Sequence, residues 1–351
     1  MSKVLIKIGT RDSPLAQWQS KQVKQLLFNK HVNSELVLIK SEGDINLVTP
    51  LYEMGVQGIF TKTLDAALLN NQIDIAVHSY KDIPTKLADG LIIVAVLKRG
   101  NPYDLLAINR EKVFSKAELS LVKDEHSTFG KRDASGITTE LMKAVFQQNK
   151  NEENNKSELP LIIATSSARR KAQLLNRFPN AVVENLRGNV NTRIKKLNES
   201  HWHAAIFAAA GIERLGFGHV EGIELKWMLP APAQGSIAIV CRKNDTEILE
   251  KCKALNHRET EICNVVEKDF LRILMGGCST PIAAHAKIKN GEMVFAGNVL
   301  SVDGKQHATV TLKSPVDGYT NLGEQAAMQI LQNGGTEIID ELKNKEIINE
   351  E

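Results

Sequence analysis

One aspartate, four arginines and one cysteine draw attention first, because each sits where chemistry is possible. Asp82 closes the run Asp74-Ile75-Ala76-Val77-His78-Ser79-Tyr80-Lys81-Asp82-Ile83-Pro84, in which an apolar strand leads straight into Ser79, Lys81 and Asp82 and stops at proline. Proteins with alternating strands and helices place ligands beyond the carboxyl ends of their strands, so a carboxylate there can exchange protons or stabilise a cation. The same residues also suit a plain Lys-Asp turn before a proline. Arg169, Arg170, Arg187 and Arg193 offer forked donors that match carboxylates in a two-pronged geometry, which fits a substrate carrying several of them. Within Leu186-Arg187-Gly188-Asn189-Val190-Asn191-Thr192-Arg193, Gly188 lets the backbone approach a ligand closely. Gly276-Gly277-Cys278-Ser279-Thr280-Pro281 places a cysteine on a glycine-rich turn; most lone cysteines are inert core residues, but paired glycines and a following proline favour an exposed loop.

Two strand-to-helix junctions would present such groups. In Ile8-Gly9-Thr10-Arg11-Asp12-Ser13 and in Ile163-Ala164-Thr165-Ser166-Ser167-Ala168-Arg169-Arg170 an apolar strand ends on a small residue, hydroxyls stand where a helix begins, and arginine is at hand. Unpaired backbone N–H groups and the positive helix end then face an anion. Two such junctions suggest two α/β lobes facing one cleft.

Around them the pattern is α/β. Strand-like runs at Val4–Ile8, Leu36–Ile39, Ile73–Val77, Leu91–Leu97, Leu161–Ala164 and Ala204–Phe207 alternate with helical periods such as Pro14–Phe28 and Lys62–Asn70, which predicts largely parallel sheets. After about residue 257 the order changes to a long helix (Glu259–Leu274), three strand-like runs (Ile282–Ile288, Met293–Leu300, His307–Leu312) and closing helices from Leu322, as expected of a separate α+β domain. Gln147–Glu158 has no apolar residue and reads as a mobile surface loop within a weakly periodic stretch, Glu111–Glu158.

With 351 residues, 42% hydrophobic and 24% charged, the chain has the size and composition of two or three globular domains. Its apolar runs are strand-sized and too short to cross a membrane, and Met1–Ile8 reads as a first strand and not a signal peptide, so a cytoplasmic protein is expected. Cys241, Cys252, Cys263 and Cys278 form no C-x-x-C pair, which argues for reduced thiols and against a zinc knot. His201 and His203 lack a third ligand at a sensible spacing, so no metal site is expected. Dinucleotide, phosphate-loop, zinc-protease and serine-hydrolase motifs are all missing. The net charge is only +3, yet Leu161–Lys196 carries eight Lys or Arg against the single acid Glu184. A local excess within a near-neutral whole points to a focused anion site, a solvated basic helix face being the plainer reading.

Taken in order, these clusters resemble the porphobilinogen deaminase family. The likeness rests on Thr10-Arg11-x-Ser13-Pro14-Leu15-Ala16, His78-Ser79-x-Lys81-Asp82-x-Pro84, Thr165-Ser166-Ser167-x-Arg169-Arg170, Leu186-Arg187-Gly188-Asn189-Val190-x-Thr192-Arg193, Gln234-Gly235 and Gly276-Gly277-Cys278. It implies two lobes like those of periplasmic binding proteins around a cleft, plus a C-terminal α+β domain. Lobe 1 would span 1–99 and 236–253, lobe 2 would span 103–231 with an insertion at about 111–158, and the third domain 258–351. It further implies a dipyrromethane cofactor held through a thioether on Cys278, and Asp82 as the group that handles protons and stabilises the cationic pyrrole left when ammonia departs. The carboxylates of cofactor and substrate would be held by Arg11, Ser13, Ser79, Lys81, Thr165, Ser166, Ser167, Arg169, Arg170, Arg187, Gly188 and Arg193. The implied activity is head-to-tail condensation of four porphobilinogen molecules and hydrolytic release of hydroxymethylbilane, by a monomer that needs no metal, nucleic acid or membrane.

This chain departs from the family pattern in three places. Gly55-Val56-Gln57-Gly58 stands where a glycine-lysine pair is common, removing a charge expected over the cleft. Ala233 in Pro232-Ala233-Gln234-Gly235 replaces a usual glycine and would stiffen the connection between lobes, and Glu111–Glu158 is longer than the corresponding bacterial segment. Two other readings compete: a non-catalytic two-lobed receptor for a small anion, needing neither Cys278 nor Asp82, and a nucleic-acid binder, which suits the basic stretch but not 5% aromatics without a recognition motif.

Overall fold

The computed structural model describes residues 5–40, 61–113, 162–274 and 280–348. The segments Gly55–Gly58, Gln147–Glu158 and Gly276–Ser279, on which several expectations fall, lie outside the described residues.

Two five-stranded sheets share one plan. In the first, β1 (Ile6–Thr10), β2 (Ser34–Leu38), β3 (Ile75–Ser79) and β4 (Leu91–Val96) are joined by β10 (Ile237–Arg242) in the order β2-β1-β3-β10-β4. In the second, β6 (Ile162–Ala164), β7 (Val182–Glu184), β8 (Ala204–Ala208) and β9 (Gly222–Glu224) are joined by β5 (Asp104–Ile108) in the order β7-β6-β8-β5-β9. β10 and β5 run antiparallel to both their neighbours, so each sheet is mixed, with four strands sharing one direction and one reversed. The reason is connectivity: each reversed strand belongs to a chain arriving from the other sheet, β4 passing into β5 and β9 into β10.

Helices cover both faces of each sheet. On the first, α1 (Pro14–Phe28) and α7 (Thr246–Lys253) bury Val23, Leu27, Ile248 and Cys252 against Ile6, Ile8, Ile75 and Ile239, while α2 (Lys62–Leu69) puts Leu64 and Leu68 on the opposite face. α1 starts as its sequence dictates, with Ser13 as N-cap and Pro14 in the first turn, where a missing N–H costs nothing. A short α3 (Arg110–Val113) follows β5. On the second sheet α4 (Ala168–Arg177) buries Leu174 on one face, and α5 (Val190–Glu199) and α6 (Ala209–Arg214) bury Ile194, Leu197 and Ile212 on the other.

The third unit follows the order read from sequence. α8 (Arg258–Ile273) precedes the antiparallel sheet β11 (Ile282–Lys289), β12 (Glu292–Leu300), β13 (His307–Pro315), and α9 (Leu322–Ile330) and α10 (Thr336–Ile348) close it. Phe270 of α8 and Phe295 of β12, both fully buried, stack tilted with ring centroids 5.1 Å apart at its centre. None of the described helices is long and apolar enough to cross a membrane.

Candidate active site

The strand ends of the first sheet supply one wall. At the β1–α1 junction the Ser13 hydroxyl accepts the Ala16 N–H at 3.3 Å, and Arg11 is half-buried just ahead of it. β3 ends on Ser79, whose hydroxyl accepts a hydrogen bond from the buried Gln19 carboxamide at 2.9 Å. A single 3₁₀ turn, Tyr80–Asp82, then brings Lys81 and Asp82 to the edge, both half-buried. Burial pushes the Lys81 ammonium below the usual lysine range, and Arg170 and Arg169 push the same way while Asp82 and Asp104 oppose them. Beneath the turn His78 is buried, and desolvation together with the charge of Arg11 lowers its imidazole to about 4, so it is neutral.

The strand ends of the second sheet supply the other wall. Thr165 is buried and its hydroxyl accepts the Ser167 N–H at 3.3 Å; Ser167 in turn caps α4 by accepting the Arg170 N–H at 3.5 Å. The Ser166 hydroxyl accepts the Leu186 N–H at 2.8 Å, tying this junction to the neighbouring β7–α5 turn. In that turn Gly188 has a φ of +111°, and a Cβ there would lie 2.9 Å from the Thr192 side chain. The need for glycine is therefore conformational, and its carbonyl accepts the Arg193 Nε–H at 2.7 Å, orienting that guanidinium. Burial, with Arg170 and Arg187 nearby, lowers Arg193 to about 10, and Asp82 pulls it back up. Charges of the two walls therefore act on one another.

Arg169 and Arg170 have a structural partner as well. Both are buried and paired with Asp104, at 2.7 and 2.8 Å. Arg169 Nη1 also donates to the Leu229 carbonyl at 2.7 Å and Arg170 Nη1 to the Ile206 carbonyl at 2.8 Å. Burial alone would raise the Asp104 carboxyl, but the two guanidinium groups, with hydrogen bonds from Arg169 and Gln234, outweigh it and hold it well below the carboxylate range. So these arginines form an internal triad first, and part of the basic excess of 161–196 is cancelled by an acid outside that window. Asp104 escaped the sequence reading; the only sign was an acid at the head of the apolar run Leu105–Ile108.

The two connections between the sheets meet behind this triad. Gln234 Nε2 donates to the Pro102 carbonyl at 2.7 Å and to Asp104 at 3.0 Å, so the returning connection grips the outgoing one. Gly235 has a φ of +86°, and a Cβ there would lie 2.9 Å from the Gly100 and Asn101 carbonyls. Ala233, where glycine is usual, also has a positive φ, +61°, a conformation that costs a non-glycine residue about 1–2 kcal/mol. Its N–H donates to Glu267 at 2.6 Å, and the same carboxylate takes both Nη atoms of Arg99, at 2.6 and 3.0 Å, and the Ala286 N–H at 2.7 Å. Burial would raise Glu267, but Arg99 and His285 overcome it and lower it to about 2. Gln19, Arg99, Asp104 and Glu267 are thus supporting residues that sequence spacing did not reveal, because their partners lie between 19 and 168 residues away.

The described part of the site offers cations and hydroxyls from three junctions, with Asp82 as the carboxylate beside Lys81 whose charge also acts on Arg193 of the other wall. That donor set fits a group bearing several carboxylates and pyrrole N–H donors. His203 and His201 serve locally: His203 Nδ1 accepts the Ile162 N–H at 3.1 Å, and His201 pairs with Glu184 at 2.9 Å.

Known proteins match nearly the whole chain. The family model "Porphobilinogen deaminase, dipyromethane cofactor binding domain" matches residues 6–127 and 134–250, and "Porphobilinogen deaminase, C-terminal domain" matches 261–332. The chain is 38% identical over 344 residues to a porphobilinogen deaminase of Desulforamulus reducens, covering 96% of this chain and 98% of that one. It is 35% identical over 346 residues to one of Pelobacter propionicus, covering 97% and 98%. Among solved structures it is similar to the GluR0 ligand-binding core in complex with L-glutamate, at 11% identity and a TM-score of 0.34, covering 73% of this chain and 91% of that one. The two family models together span both sheets and most of the third unit, and the relatives match over nearly the full chain, which settles the affiliation: this chain belongs to the porphobilinogen deaminase family.

Proposed function

We propose that the chain is a hydroxymethylbilane synthase, a transferase of tetrapyrrole biosynthesis. It condenses four molecules of porphobilinogen with loss of four molecules of ammonia, and water releases linear hydroxymethylbilane. The observation that carries this reading is one carboxylate set between two cations: Asp82 stands half-buried beside Lys81 on one 3₁₀ turn of the first sheet, and its charge acts on Lys81 and on Arg193 of the second.

When bound, a dipyrromethane on Cys278 supplies the electron-rich pyrrole end to which substrate is joined. Its carboxylates would be held by Arg11, Lys81, Arg187 and Arg193, with Ser13, Ser79 and Thr165–Ser167 as neutral donors and Gly188 shaping the turn. Arg169 and Arg170 act there with the donors that Asp104 leaves to them. Asp82 accepts the pyrrole N–H of the reacting substrate, which stabilises the cation formed as ammonia leaves. It also relays the proton between the leaving amine and the new ring junction. The neutral His78 beneath the turn places no competing positive charge next to that carboxylate. The three-domain division, the insertion near 111–158, a cytoplasmic location and a monomeric state without nucleic acid complete the reading. A receptor for a small anion would use the same cleft but would release no ammonia.

Intact-protein mass spectrometry with an ammonia-release assay tests the proposal. The active protein should carry the mass of two pyrrole units on Cys278, and Asp82→Asn should keep that mass while losing about 10²–10⁴-fold in kcat. Unmodified Cys278 in active protein rejects the attachment, and a fully active Asp82→Asn rejects the proton-handling role.

A further inference from the structure

The helix that leads toward Cys278 also grips the turn that carries Asp82, at both of its ends. α8 turns Thr260, Asn264, Glu267 and Lys268 inward, all buried and spaced so that they share one face. At the entry to the turn, the Tyr80 N–H donates to the Ser236 carbonyl at 3.0 Å. Ser236 is itself tied to Asn264, whose Nδ2 donates to the Ser236 hydroxyl at 2.9 Å. At the exit, Lys268 Nζ donates to the Ile83 carbonyl at 2.6 Å, while the Ile83 N–H closes the turn on the Tyr80 carbonyl at 3.1 Å. The Lys268 ammonium also stands 5.3 Å from the centre of the Tyr80 ring. Asp82 lies between these two anchors.

A buried ammonium is expensive to keep, and an apolar side chain of the same length would fill the space at less cost. Two contacts of the ammonium fall on the turn, a short charge-assisted hydrogen bond to the Ile83 carbonyl and an attraction to the Tyr80 ring. Burial, Asp269, Glu261 and Glu267 push the Tyr80 hydroxyl up, so the acids of α8 surround the same ring. We infer that Lys268 is a positioning residue for the reaction: through the Ile83 carbonyl and the Tyr80 ring it fixes the Asp82 carboxylate relative to α8, four residues of chain after whose capping residue Leu274 stands Cys278. One turn of one helix then serves two tasks, Glu267 holding the connections between the sheets and Lys268 holding the turn that carries the carboxylate. This rests on the reading of Asp82 as the proton-handling group.

The test compares Lys268→Met, Lys268→Arg and Asp82→Asn in cofactor-loaded full-length protein, reading kcat, KM and the intact mass. Lys268→Met, which keeps the stem and loses the donor, should lower kcat about tenfold with KM within twofold, as expected when a reacting group is misplaced by less than an ångström or so. Its two-pyrrole mass should be unchanged. Lys268→Arg should restore at least a third of the rate, since charge and donor return. Should Lys268→Met fail to accumulate as folded protein, Lys268→Gln carries the same comparison with an expected loss of about threefold. An unchanged kcat in Lys268→Met, a rise in KM with kcat intact, or an arginine variant as slow as the methionine one overturns the inference. A fully active Asp82→Asn overturns the underlying reading instead, and the two failures are distinct.

Discussion

The two five-stranded sheets correspond strand for strand in order and direction, and the residues at matching positions have been put to opposite uses. Ser79 pairs with Ile237 in the first sheet as Ala208 pairs with Asp104 in the second; the Tyr80 N–H donates to the Ser236 carbonyl as the Ala209 N–H donates to the Tyr103 carbonyl, each at 3.0 Å. Ser13 caps Ala16 as Ser167 caps Arg170. By that correspondence Leu15, Ala16 and Ile237 are replaced by Arg169, Arg170 and Asp104, and Lys81-Asp82 by Ala210-Gly211. A repeated frame holds an apolar trio on one side and an ion triad on the other, and the reactive groups at the end of β3 correspond to small apolar residues at the end of β8. Complementarity of carboxylate and cation across the cleft thus arises from unequal filling of equal positions.

Breaking the triad is the harshest way to test that equivalence. Asp104→Ala leaves two guanidinium groups buried without their acid, and the fold should lose about 3–5 kcal/mol in urea unfolding. The graft of the first sheet's trio, Arg169→Leu with Arg170→Ala and Asp104→Ile, should recover most of that loss while activity stays abolished. Because Asp104 titrates below its unfolded value, its stabilisation is complete above the unfolded carboxylate pKa of about 4 and is lost as pH falls through the folded one. The graft should therefore resist acid better than the native chain. A loss under about 1 kcal/mol in Asp104→Ala would mean that the guanidiniums are rescued by water and that the positions are not equivalent.

The same comparison explains what was legible in the sequence. Helices with a long period, such as Pro14–Phe28, and the third unit's run of helix, three strands and helices announce themselves locally, because burial on one face forces the spacing. β7 and β9 span only three residues each and carry no period. β5 and β10 are apolar runs buried on both faces, so nothing in them shows their direction; that depends on arrival from the other sheet. The cleft residues were readable because they cluster in short junctions and resemble a family. Asp104, Glu267 and Lys268 were not: an acid heading a strand and an adjacent Glu-Lys pair on an amphipathic helix look solvated until distant segments close over them.

A smaller effect separates His78 from its counterpart Phe207, which stands one residue before the matching strand end and is likewise buried. His78 titrates near 4 in the fold against about 6.5 when unfolded, so the unfolded chain binds the extra proton between those values. Its neutral form stabilises fully above about pH 6.5, and that stabilisation falls as pH drops toward 4. Asp65 works against it: burial, eased by a hydrogen bond with Thr61, raises its carboxyl to about 6, so the fold gains from its protonation over much of the same range. These two contributions should nearly cancel from pH 6.5 to about 5, below which Asp104 and Glu267 make the native curve fall. His78→Phe, copying the second sheet, should tilt it by about 1–3 kcal/mol in favour of low pH. A parallel pair of curves for the two proteins would show that His78 titrates normally and that its strand is more open than Phe207's.

The finest comparison is between the two serine caps, which differ only in what they hold. Ser13 accepts the Ala16 N–H at 3.3 Å and Ser167 accepts the Arg170 N–H at 3.5 Å, the longer bond being the weaker. If capping is the whole structural duty of each, Ser13→Ala should cost about 1 kcal/mol of stability and Ser167→Ala about 0.5 kcal/mol. The order is informative because the Ser167 N–H also donates to Thr165, a bond that survives the substitution and keeps the junction shaped. Should Ser167→Ala instead cost more than Ser13→Ala, the cap must be holding the Arg170 guanidinium against Asp104 as well as ending the helix. The two junctions would then differ in mechanics as well as in charge, and urea unfolding of the double variant with Asp104→Asn, less than additive in that case, would show the coupling directly.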